Sequence, residues 1–451
     1  MGRISSAAAV IALAGLGPAA CSPAAKLTDQ QTCQTGIYRL ADGHALDIAP
    51  SGDGALRWRL DNGRSGLLSA KRNWSSTLGW TGQPDGVSVR LPPCGGREIA
   101  FTDKDAPPVT GRRIVLQTQE TTFRSGDVTL HGKLVMPMGG GPAPIVVDVH
   151  GSEKDAATVF DFDQRMVPAE GIGMFVYDKR GTGGSTGKYT QDFQTLAQDA
   201  AAAAGAARRL AGGRLLRIGF SGGSQGGWVA PLAATLTPVD FVIVGYGLAG
   251  SPGEENTDQT VLELKRKGYG PDVLAQAAEV AEAANGVMAA RFRGGFKQLD
   301  AVKLHYRDRP WFKQLRGQYT GELVRYPTWV LQLVGPMFDV GTPAAYDAVP
   351  VLRRVKAPML WVLADDDTMA PNATTRQRLA GLIAEGAKIS VLAFPATDHG
   401  IMQFVTTPEG ERKMTRYPDG YFRTTADWAR TGALSPPYGN SRLIGRPIAR
   451  P

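Results

Sequence analysis

Gly222-Gly223-Ser224-Gln225-Gly226 puts a serine between flanking glycines, after the apolar stretch Leu215–Phe220 and before the small-residue stretch Gly227–Ala234. At a turn from strand to helix, a serine has its hydroxyl lifted clear of the backbone and the next N–H aimed at the same spot. Such a turn leaves no room for side chains at its flanks, which is the place of the glycines. A serine hydroxyl attacks a carbonyl only when a base takes its proton, and histidine suits that task near neutral pH. The chain has five: His44, His131, His150, His305 and His399. His399 directly follows the last apolar strand stretch, where a parallel sheet gathers its reactive groups. An imidazole base needs a carboxylate to fix its tautomer. Asp365-Asp366-Asp367 follows Met359–Leu363, and Asp367 opens an Asp-x-x-x-Pro run ending at Pro371. One of these three carboxylates is expected to face His399. Asp398 is the weaker rival, since adjacent side chains face each other poorly. The oxyanion formed by attack needs two fixed N–H donors. The backbone of Gln225 and that of Ser152, in Asp148-Val149-His150-Gly151-Ser152, are the candidates, with His150 shaping the loop.

Alternating strand and helix patterns must carry these groups. Ile145–Val149, Met174–Tyr177, Leu215–Phe220, Phe241–Val244, Met359–Leu363 and Ile389–Phe394 are short apolar runs of the kind buried in parallel sheets. Helix patterns over Gln191–Leu210 and Thr374–Gly386 separate some of them, and Thr121–Pro137 reads as a strand pair turning at Gly126-Asp127. The expected fold class is α/β: a mostly parallel sheet with a helical cap inserted at about 251–350, within a domain over 112–437. Residues 27–105 break into short strands at turn signals such as Asp61-Asn62-Gly63 and Pro84-Asp85-Gly86, which predicts a small antiparallel β domain. Its Trp58, Trp74 and Trp80 are expected to serve as core rather than as a ligand-binding face. Ala106-Pro107-Pro108 reads as the linker.

The order Ser224, Asp367, His399, together with Ser125–Leu134, His150-Gly151-Ser152 and Tyr177-Asp178-Lys179-Arg180-Gly181-Thr182-Gly183-Gly184-Ser185-Thr186-Gly187, resembles secreted bacterial esterases of the α/β-hydrolase superfamily over about residues 120–432. The resemblance implies carboxylic-ester hydrolysis through an acyl-enzyme, with no metal and no cofactor, Arg180 as a loop anchor, and Asp367 as the residue facing His399, because its Asp-x-x-x-Pro run is similar to the acid loop of that superfamily; Asp365 and Asp366 are then solvated or capping. Glu153 departs from it, where relatives often carry another glycine. A phosphate loop is a poor reading of the glycine run, because no Gly-Lys-Ser/Thr closes it onto a helix. A serine peptidase of the same fold is the alternative, for which Glu254-Glu255 are weak candidates to bind a substrate amino terminus. A non-catalytic binding protein on this fold is the third reading.

The chain has 451 residues and a formal net charge of +8. Its basic residues are scattered without interleaved aromatics, so nucleic acid is not an expected partner; the expected partner is a small-molecule ester. Residues 1–21 carry one early positive charge and an apolar run from Ala7 to Leu16, too short to span a bilayer, which predicts an export signal. Cut before Cys21, the chain would present a lipidated, membrane-tethering thiol. Cys33 and Cys94 are left to pair in an oxidising compartment such as the periplasm or cell envelope.

Overall fold

The structure is a computed structural model and describes residues 27–51, 54–69 and 74–444. The expected export signal, with Cys21, lies outside the described residues. Contacts divide the described chain into two compact units, one over Asn256–Ala345 and one holding all the rest.

The larger unit begins with helix α1 (Asp29–Gln34) and a closed antiparallel barrel of eight strands. These are β1 (Gly36–Leu40), β2 (Ala45–Pro50), β3 (Leu56–Leu60), β4 (Ser65–Ser69), β5 (Ser75–Leu78), β6 (Pro84–Arg90), β7 (Glu98–Asp103) and β8 (Val109–Arg113). Closure of β8 onto β1 removes the unpaired edges. The barrel therefore runs past the expected limit at residue 105. Pro107-Pro108 is no linker: it lies in the connection between β7 and β8, which pair with each other. The barrel is filled by its own side chains, including Tyr38, Leu46, Ile48, Trp58 and Phe101. Trp58 donates its indole N–H to Ser76 Oγ at 2.7 Å and packs edge-on to Phe101. Trp74 packs against that core, whereas Trp80 is 40% exposed, with the Arg57 guanidinium 3.9 Å above its ring. A disulfide, Cys33–Cys94, ties α1 to the segment after β6.

The barrel shares its unit with a nine-stranded sheet. In chain order the sheet contains β9 (Leu116–Ser125), β10 (Val128–Pro137), β11 (Ala143–Val149), β12 (Gly173–Tyr177), β13 (Leu215–Gly223), β14 (Phe241–Gly245), β15 (Met359–Ala364) and β16 (Ile389–Phe394). A small three-stranded sheet follows, β17 (Thr397–Asp398), β18 (Met402–Thr406) and β19 (Arg412–Arg416), before the last large-sheet strand, β20 (Arg442–Ile444). The large sheet runs β20-β16-β15-β14-β13-β11-β12-β10-β9, and the six central strands are parallel.

Period-two alternation sorts the central strands' side chains to two faces. Ile145, Val147, Val244, Trp361 and Leu363 pack on one, with α4 (Phe193–Ala211) and α5 (Gly226–Leu236). Val146, Ile243, Leu360 and Val362 pack on the other, with α13 (Tyr421–Thr431), whose Trp428 is fully buried. The intervening helices of this unit are α2 (Ala157–Phe160), α3 (Asp163–Ala169), α11 (Val349–Arg354) and α12 (Ala373–Ala384). The barrel docks through a buried ion cluster: Asp47 of β2 accepts from Arg165 of α3 at 2.5 Å and lies 3.4 Å from Arg59 of β3.

The smaller unit is helical. It holds most of α6 (Pro252–Arg266), then α7 (Pro271–Ala289), α8 (Phe296–Tyr306), α9 (Thr320–Arg325) and α10 (Thr328–Phe338). Its core includes Leu264, Val280, Leu299, Trp311 and Leu323. Asn256 ties three segments by donating to Asn285 and Thr320 while accepting from the Tyr319 N–H.

Candidate active site

The elbow forms because β13 must turn into α5 within two residues. Ser224 sits there at φ +52°, a left-handed conformation that non-glycine residues rarely hold. The flanking glycines answer to crowding. A Cβ on Gly222 would lie 2.2 Å from the Gly226 carbonyl oxygen, and one on Gly226 would lie 1.9 Å from that of Val149. The turn is pinned by the Ser224 N–H donating to the Gly245 carbonyl at 3.1 Å.

His399 Nε2 lies 3.1 Å from Ser224 Oγ, and its Nδ1 lies 3.0 Å from Asp367 Oδ2. The Asp367 carboxylate accepts the N–H groups of Met369 and Ala370 at 3.0 and 2.8 Å, so its loop holds it toward the imidazole. Burial disfavours the charged form of His399, but the Asp367 hydrogen bond and charge outweigh it and raise its pKa above 6.5. The neighbours of Asp367 are engaged elsewhere. Asp365 pairs with Arg376, and Asp398 accepts from Thr368 and Arg412. Asp398 thus pins the loop rather than orienting the imidazole. Ser224 follows the central strand β13, Asp367 follows β15 and His399 follows β16, all at one end of a doubly covered parallel sheet. The fold is that of an α/β-hydrolase.

Ser152 and Gln225, the expected backbone donors, follow β11 and β13, which are hydrogen-bonded neighbours. Neither N–H has an acceptor among the described residues. Lys179, from the Tyr177–Gly187 motif, braces both segments. Its ammonium donates to the carbonyl oxygens of Gly151 and Glu153 and to Gln225 Oε1, three acceptors for three donors. Burial lowers its pKa to about 8, against the opposing pull of Glu153 and Asp148. His150 shapes the loop by donating to the Tyr177 carbonyl at 3.2 Å. Glu153 lines the cavity with its side chain 46% exposed and pairs with His150 at 2.8 Å. Burial works against its charged form, and the hydrogen bond and charge of His150 prevail to lower its pKa. Arg180 clamps α4 through a two-point pair with Asp199, the anchoring role the resemblance implied.

Two of the other histidines have partners of their own within the larger unit. His44 pairs with Asp61 in the barrel, His131 lies between Asp178 and Glu120, and His305 belongs to α8 of the helical unit.

A cavity of about 630 Å³ opens at Ser224 and His399. Its walls include Asp148, Asp161 and Asp163, none of which sequence reasoning singled out. A signal was there for the first, because Asp148 interrupts an otherwise apolar strand. Tyr246 also lines the cavity, with its ring edge-on to His399 at 4.9 Å between centroids. Glu255 carries a carboxyl that burial pushes up to about 8, with His399 opposing and Asp367 adding to the rise.

No family model matches the chain, and no curated protein sequence does either. Among solved structures it is similar to a proline iminopeptidase of Mycobacterium smegmatis, at 21% identity over 62% of this chain and 91% of that one, with a TM-score of 0.38. It is also similar to an esterase of Pyrococcus furiosus, at 14% identity over 63% of this chain and 84% of that one, with a TM-score of 0.40. An acylaminoacyl peptidase of Pyrococcus horikoshii matches at 15% identity over 78% of this chain but 52% of its own, with a TM-score of 0.40. Likenesses at these identities and scores say nothing about substrate; the chemistry is read from the site itself.

Proposed function

We propose that the chain is a serine hydrolase that cleaves carboxylic esters, with Ser224, His399 and Asp367 as its triad. The observation that carries this reading is the unbroken line of hydrogen bonds from Asp367 through His399 to Ser224. Ser224 Oγ bonds to the acyl carbon while its proton passes to His399 Nε2. Asp367 holds the imidazole and balances the imidazolium. The resulting oxyanion sits between the N–H groups of Ser152 and Gln225, and Lys179 keeps those two segments in register. Collapse breaks the bond to the leaving alkoxide, which takes the proton from His399. Water then repeats the sequence, with His399 as base, and releases the acid.

In this reading the protein works outside the cytoplasm, where a Cys33–Cys94 disulfide persists. Residues 1–21 then act as an export signal, or a lipidated Cys21 tethers the chain to the cell envelope. No helix among the described residues is long and apolar enough to cross a membrane.

Steady-state turnover of p-nitrophenyl esters and of aminoacyl-p-nitroanilides tests the reading. Ester hydrolysis that falls at least about a thousand-fold in Ser224→Ala is the expected result. Turnover of anilides alone would move the assignment to a peptidase. Ester hydrolysis that survives Ser224→Ala would end the serine mechanism.

A further inference from the structure

The cavity at Ser224 is lined by five carboxyl side chains, Asp148, Glu153, Asp155, Asp161 and Asp163, and by no lysine or arginine. On a chain with a net charge of +8, a wall of clustered acidic side chains is a specific feature. Glu153 is already taken up by His150. Asp148 and Asp161 are not satisfied in this way: Oδ2 of each is shut off from solvent and accepts no hydrogen bond. The Asp161 Oδ1 accepts the Asp163 N–H at 2.8 Å, so the unmet hydrogen-bonding capacity of the wall rests on the Oδ2 atoms, which a small shift of either side chain would turn toward an entering donor. Burial pushes the Asp148 and Asp161 carboxyls up, and that of Asp163 up to about 8, with Asp161 raising both Asp148 and Asp163 further. A cation entering the cavity would relieve that repulsion and ionise the wall.

Two further observations say what kind of cation fits. Among the described residues, no three histidine, cysteine or acidic side chains are gathered closely enough to hold a metal ion. Tyr246 and Tyr421 also line the cavity, and aromatic faces attract organic cations; Phe162 beside them already carries one, the Arg59 guanidinium 4.0 Å above its ring. A diffuse organic ammonium matches a spread of carboxylates and aromatic faces better than a coordinated ion does.

We propose that this wall binds an ammonium group of the substrate, so that the chain acts on esters or amides carrying a protonated or quaternary amine near the scissile carbonyl. Turnover rests on the serine-hydrolase reading; binding does not.

The test uses two matched pairs at pH 7. Leucine p-nitroanilide and 4-methylpentanoyl p-nitroanilide differ only in the acyl-side amine. Butyrylthiocholine and its uncharged 3,3-dimethylbutyl isostere differ in the alcohol-side cation. Each compound is titrated calorimetrically into the Ser224→Ala protein and assayed for turnover with the wild type. In at least one pair, the cationic member should bind at least tenfold more tightly and show a correspondingly lower KM. Asp148→Asn and Asp161→Asn, introduced singly, keep the side-chain shape and remove charge, so both proteins should fold. Each should cut the preference to threefold or less while leaving the neutral partner unchanged. Equal binding of both members in both pairs, or a preference untouched by both substitutions, would overturn the inference. So would Mg²⁺ or Ca²⁺ displacing the ligand from the same carboxylates. Preferential binding without turnover would uphold the ammonium site and end the hydrolase reading, whereas turnover without preference would do the reverse.

Discussion

Gly226 allows a perturbation whose size can be worked from the structure. A Cβ there would stand 1.9 Å from the Val149 carbonyl oxygen, and separations under 3.0 Å are essentially never seen for real Cβ atoms. The backbone of the elbow must therefore open from β11 by about 1.1 Å. His150-Gly151-Ser152 follows Val149 directly, so the opening moves the Ser152 N–H away from the Gln225 N–H. A displacement of about 1 Å costs a reaction roughly 100-fold, and loss of one aligned oxyanion donor costs about 100- to 1000-fold. Gly226→Ala should lower kcat for p-nitrophenyl butyrate within that range, with KM nearly unchanged. Gly381→Ala is the control. It lies in α12, and its added Cβ would meet nothing within 4 Å. That substitution should leave kcat alone and raise stability by about 0.5–1 kcal/mol. Wild-type kcat in a folded Gly226→Ala protein would refute the argument that this close approach sets the oxyanion geometry.

Three other outcomes follow from the same structure. His399 must be neutral to accept the serine proton, and Asp367 raises its pKa, so kcat/KM should fall as pH drops, with a midpoint above 6.5; a midpoint at or below 6.5 would contradict the pairing. Lys179→Met leaves three carbonyl oxygens without their donor and should lower kcat about 10- to 100-fold with little change in KM, as measured by steady-state ester kinetics. Asp47→Ala strands Arg165 and Arg59 in a buried contact and should cost about 3–5 kcal/mol in urea unfolding, while ester KM stays unchanged.

That Ser224, Asp367 and His399 come together was legible in the sequence because each follows an apolar strand and carries a local signature: glycines around Ser224, the Asp-x-x-x-Pro run at Asp367, and the place of His399 after the last parallel strand. The sheet strands were legible for a related reason, since burial on both faces demands continuous apolar runs. The barrel was harder to delimit. Pro107-Pro108 reads as a linker until β8 is seen to close on β1, a pairing across more than seventy residues that no local pattern encodes. The bracing role of Lys179 and the grouping of the cavity carboxylates were missed for the same reason. Asp148, Asp161 and Asp163 meet only because β11 and the start of α3 converge beside the elbow, and a lysine after a strand carries no mark of the carbonyls it will brace.

The proposed mechanism stands on Ser224 as nucleophile. Its most direct test is peptide mapping by mass spectrometry after reaction with a fluorophosphonate, on the wild type and on His399→Ala. A single phosphonyl adduct on Ser224 is expected in the wild type, formed at least about a hundred-fold more slowly when His399 is absent. An adduct on another residue, or none in a folded protein, would contradict that mechanism.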